Sequence, residues 1–136
     1  MRIYSYLLVR ANNESSDILS QKFVFPKIIL RLKDEDSDVQ ARSMVAIGHI
    51  VHSVDLDQIQ ENIPFLIESI DGKNAMYATQ LLGILAFNGC SRYILESGSI
   101  PRIIVFFNSS KEEARTIAAQ LLSTLIKELP RPLYIY

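Results

Sequence analysis

The side chains best suited to hold a metal or attack a substrate are few: His49, His52, Asp55 and Cys90. The first three recur at intervals of three and share a face if that stretch is helical, which with the thiol makes a nominal zinc set. Structural zinc, however, takes four convergent ligands. A spacing of three alone does not supply that convergence, so these residues read as polar positions on a helix surface. Cys90 reads as a small buried apolar side chain rather than a reactive thiol. The serines lie in polar turns or helical stretches and lack the sharp Gly-x-Ser-x-Gly setting of an activated hydroxyl. "DGK" at 71–73 has no hydroxyl after the lysine and no strand before it, so it is a turn and not a phosphate loop. The acidic run Asp34, Glu35, Asp36 and Asp38 fits a solvated turn at a helix start, where negative charge suits the dipole. The expectation is a protein that is not an enzyme and carries no cofactor and no metal.

Composition narrows the partners. With 136 residues the chain is one domain's worth, and a hydrophobic fraction of 49% is enough to fill a core. A disordered composition is confined to "NNESSD" at 12–17. A net charge of −1 leaves no electrostatic footprint for nucleic acid or anionic lipid. One cysteine excludes an intramolecular disulfide and fits a reducing compartment. The opening "MRIYSYLLVR" resembles a signal sequence only briefly, because Arg10 closes the apolar run. No window approaches the ~18 apolar residues of a membrane span. A cytoplasmic protein is expected, with the nucleus also open to it, bound neither to membrane nor to nucleic acid.

The elements that would position any site follow from the prolines. Pro26, Pro64 and Pro101 are 38 and 37 residues apart, each after an apolar residue (Phe25, Ile63, Ile100). Apolar residues recur two, three and six positions later: Ile28, Ile29, Leu32; Leu66, Ile67, Ile70; Ile103, Ile104, Phe107. That spacing puts them on one helix face, and proline suits a first turn because its missing amide would have had no helical partner. Polar breaks follow at 33–38, 71–74 and 108–113, two with capping-box spacing (Ser37 with Gln40, Ser110 with Glu113). Long helices are predicted next, over about 38–52, 74–88 and 112–128. Their apolar faces superimpose: Val39, Ser43, Ala46, Ile47, Ile50, Val51; Ala78, Leu81, Leu82, Leu85, Ala86; Ala114, Ala118, Leu121, Leu122, Leu125, Ile126. Leu82 and Leu122 are expected in the core. Gly48, Gly83 and Ser123 match, and close approach of a neighbouring helix would offset the ~1 kcal/mol that a helical glycine costs. Shorter helical pieces precede two of the prolines, at 55–64 and at 91–101, the latter stopped by Gly98. Units of this kind cannot bury their apolar faces alone and must stack.

"VQARSMVAIGHIV" at 39–51 and "SRYILESGSIPRIIVFFNSSKEEARTIAAQLLSTLI" at 91–126 resemble armadillo repeats, the "ESGSIP" being similar to that family's glycine-x-isoleucine-proline turn. The resemblance implies an all-α fold, a right-handed α-solenoid of about three repeats, over 17–53, 54–90 and 91–128. A capping helix over about 1–16 and a C-terminal tail at 129–136 complete a single domain, 1–136. The tail's Leu133, Tyr134, Ile135 and Tyr136 are most simply explained if they fold back over the last repeat.

What the resemblance implies for function is a protein-protein interaction module, a scaffold or adaptor, whose long helices line a concave surface for an extended protein or peptide segment. The ladder expected to bind the partner runs through Arg42, Val45 and His49, then Tyr77, Gln80 and Ile84, then Gln120 and Thr124. The alternatives are a fragment of a larger armadillo scaffold and a nuclear-transport adaptor similar to importin-α. The latter family presents tryptophan and, four residues on, asparagine. Here the matching pairs are Val45 and His49, Gln80 and Ile84, and Gln120 and Thr124, in a chain with no tryptophan.

Overall fold

The computed structural model describes residues 23–129, and every regular element among them is helical. The expected capping helix, the start of the first unit and the tail beyond Leu129 lie outside the described residues. Helix α1 spans Phe25–Leu30, α2 Ser37–Ile50, α3 Ile63–Glu68, α4 Ala75–Leu85, α5 Ser91–Glu96, α6 Ile100–Phe107 and α7 Glu112–Lys127. Each of α1, α3 and α6 begins one residue before its proline, so the missing amide falls among those a helix start leaves unpaired. The stretch before Pro64 forms two short 3-10 turns rather than a helix, Leu56–Gln58 and Gln60–Asn62.

The starts of α2 and α7 differ from expectation. Asp36, not Ser37, caps α2: its backbone is extended and its carboxylate accepts from the Asp38 amide at 2.8 Å. An anion is favoured at the positive end of the helix, so it takes the role from the neighbouring hydroxyl. The half-buried Gln40 amide donates to the Asp34 carbonyl instead of reaching back to Ser37. At α7 no side chain caps the helix. The Ser109 hydroxyl accepts from the Lys111 amide, and Arg115 binds the carbonyls of Ser109 and Ser110.

Two glycines set the sharpest turns. Gly89 at φ 108° separates α4 from α5, and Gly98 at φ 71° follows α5, both conformations that a side chain disfavours.

Packing follows chain order. Helices α1, α3 and α6 pack on the long helices that follow them, α2, α4 and α7, while α4 lies between α2 and α7. The apolar faces are buried over Ala46, Ile47, Ile50, Val51, Ala78, Leu81, Leu82, Leu85, Ala86, Ala118, Leu121 and Leu125. On α7 the expectation fails in part: Leu122 is only half-buried and Ile126 is exposed. Helix α4 is covered by a long helix on both sides, whereas α7 has one on a single side among the described residues.

Contacts between successive helix pairs fall at matching distances from the prolines but use different chemistry. Seven residues after Pro26, the Lys33 ammonium lies 5.7 Å from the ring centroid of Phe65, the residue after Pro64. Seven after Pro64, Asp71 pairs at 3.2 Å with Arg102, the residue after Pro101. Exposed contacts of this kind contribute only about 0–1 kcal/mol each, so they set register more than stability. A third link is better shielded: buried Asn74 donates to the Ser37 carbonyl at 3.0 Å.

The matched glycines are not equivalent. A methyl on Gly48 would meet the Ile84 Cδ1 at 3.2 Å, so here helices approach closely as expected. A methyl on Gly83 would meet nothing within 4 Å. Gly83→Ala should therefore raise the unfolding free energy by about 1 kcal/mol, the helix-propensity difference, while Gly48→Ala gains less because Ile84 must shift. Urea titration of both variants checks this, and a destabilised Gly83→Ala would show that the position is packed after all.

Candidate interaction groove

Three successive long helices turn one face each into a shared open groove of about 590 Å³. From α2 come Val45, Gly48 and His49, from α4 Tyr77, Gln80 and Ile84, and from α7 Ile117, Gln120 and Thr124. Val45 and His49, Tyr77, Gln80 and Ile84, and Ile117, Gln120 and Thr124 are three, four or seven apart on their helices, the repeat that keeps side chains on one stripe. The apolar faces described above lie mainly toward the core, and Met44, Leu81 and Leu121 reach from it to the floor of the groove.

Of the eight ladder positions expected from sequence, seven line the groove: Val45, His49, Tyr77, Gln80, Ile84, Gln120 and Thr124. Arg42 is exposed on α2 but is not part of the lining. Sequence reasoning missed Ile117, His52 and Phe87, although a signal existed. Continuing the steps of three and four that join Val45 to His49 and Gln80 to Ile84 reaches His52 and Phe87. Phe87, just past the end of α4, is 79% exposed, the most exposed large apolar side chain beside the groove.

The polar chemistry of the lining is neutral or weakly basic. Among the described residues it contains no carboxylate, ammonium or guanidinium. Among the described residues the amides of Gln80 and Gln120 have no hydrogen-bond partner, which leaves a donor and an acceptor on each. The Thr124 hydroxyl is already engaged, donating to the Gln120 carbonyl at 3.0 Å. Val45, Tyr77 and Ile84 are all more than a third exposed and supply apolar surface between these amides.

Buried hydroxyls are occupied within their own turns: Ser43 donates to the Val39 carbonyl, Thr79 to Ala75, Ser91 to Ala86 and Ser99 to Ile94. Cys90 is buried, and burial together with the Asp57 carboxylate pushes its thiol above the ordinary value, which keeps it protonated and poorly nucleophilic. His49 and His52 reach the groove, while the Asp55 carboxylate instead accepts from the Asp57 amide at 3.0 Å. Among the described residues no group of three or more His, Cys, Asp or Glu side chains could hold a metal ion, and no helix is long and apolar enough to cross a membrane.

No protein-family model matches the chain, and neither does any curated protein or solved structure.

Proposed function

We propose that the chain is a right-handed α-solenoid of about three armadillo-like repeats, and that it acts as a non-catalytic interaction module, a scaffold or adaptor. Its partner is a protein segment laid across the long helices. The observation that carries this reading is the convergence of register-matched residues from α2, α4 and α7 on one groove. Packing in chain order supports the stacked architecture, since each long helix adjoins the next. Unpartnered amides at equivalent places on α4 and α7 suit a ligand that brings its own donors and acceptors, as a peptide backbone does. A lining without carboxylates gives nothing to hold a strongly basic ligand, and no tryptophan is present to stack on one. Importin-like recognition of basic peptides is therefore the weaker reading.

The test starts from peptides selected by display against the folded chain. Gln80→Ala/Gln120→Ala should weaken their binding by ~1–3 kcal/mol, two hydrogen bonds' worth. Thermal unfolding should barely change, because neither side chain is buried. Undiminished affinity in the double variant would move the binding surface elsewhere.

A further inference from the structure

The outward face of α6 is apolar, and its counterpart one helix pair earlier in the chain is covered. Three and six residues after Pro64, Ile67 and Ile70 are 3% and 4% exposed; the same positions after Pro101, Ile104 and Phe107, are 41% and 40% exposed. Beside them Val105 and Ile126 are also open to solvent. In the middle unit the following helices pack over this register. At the end, no described element does.

We propose that this face of α6 and α7 is the docking site for the chain's own residues 133–136, Leu-Tyr-Ile-Tyr. The proposal does not depend on what the groove binds. Helix α7 packs along α6 and ends at Lys127, so the residues that follow are covalently tied to an element in contact with the face. Proline at 130 and 132 disfavours continuation of the helix by its residue type. Reach is ample: residues 130–136 span about 23 Å when extended, while the eight residues of α6 are about 12 Å long. Chemistry matches as well. The four residues carry apolar bodies, and the tyrosine hydroxyls can stay in water at the rim. Covalent attachment gives the segment an effective concentration of order mM. A second copy of the chain lacks that advantage.

Because the chain contains no tryptophan, Tyr134→Trp places a single reporter in the segment. In the folded full-length chain its emission should be blue-shifted, and acrylamide quenching should be several-fold weaker than in the urea-unfolded chain. Both signals should be independent of protein concentration. They should revert to unfolded-like values in Ile104→Lys/Phe107→Lys, whose sites are exposed enough to leave the fold intact by circular dichroism. Four results overturn the proposal. The first is a water-exposed reporter in the unaltered background. The second is a shielded reporter indifferent to the lysine substitutions, which places the segment elsewhere. The third is shielding that grows with concentration, which makes a second copy the cover. The fourth is acrylamide access unchanged by unfolding.

Discussion

Leu82→Ala should destabilise the chain by a clearly larger margin than Leu122→Ala, and both variants should still melt cooperatively. Both leucines hold matching places on the long helices, yet Leu82 is fully buried and Leu122 only half-buried. Removing a fully buried leucine side chain costs about 2–5 kcal/mol, through lost transfer free energy and the cavity left behind. A domain of this size has only about 5–15 kcal/mol in total. Leu82 also sits on α4, the helix that packs against both α2 and α7. Leu122 should cost about 1–2 kcal/mol, in proportion to the smaller apolar area it removes from water. Urea titration followed by circular dichroism gives both numbers. Equal costs would mean that α7 is covered on its outer side as fully as α4 is.

That contrast also marks where sequence reading reaches its limit. Helix positions were legible because the proline spacing and the recurrence at three and four residues are local properties, and the backbone obeys them locally. Burial at Leu122 and Ile126 was not legible. It depends on whether another unit stands beside α7, and nothing within the helix records that. Gly48 and Gly83 look identical in sequence and differ in space, since only Gly48 faces the end of the Ile84 side chain. The cap of α2 was misplaced by one residue because Asp36 and Ser37 are both good capping residues. The backbone's extended conformation at Asp36 decides between them. For the groove, the stripe was visible but its ends were not. His52 and Phe87 lie past the last turn of their helices, where periodicity was not followed, and Arg42 lies outside the lining although Tyr77 at the matching register is inside.

A second large effect is expected in "FVFP" at 23–26, where two phenylalanines two residues apart should respond in opposite ways. Phe25 is fully buried and Phe23 is 59% exposed. Helical geometry explains the difference: Phe25, Ile28 and Leu32 are three and four residues apart and share the buried face, while a step of two leads about 200° around the axis. Pro26 holds the next φ near −65°, so the backbone cannot easily close over a missing ring. Phe25→Ala should therefore cost about 3–5 kcal/mol, and Phe23→Ala should stay within about 0.5 kcal/mol of the parent. The shape of the transition carries further information. In a stack where each unit touches only its neighbours, a lesion in the first unit can unfold that unit alone. The core argues against this, because buried residues from α1 through α7 form one continuous cluster. One transition with an unchanged denaturant slope is the expected outcome for Phe25→Ala. A split transition would show that the first unit is only loosely coupled to α4. A cost below about 1 kcal/mol would mean that Phe25 does not anchor α1 against α2, and the burial assigned to the first unit would have to be redrawn.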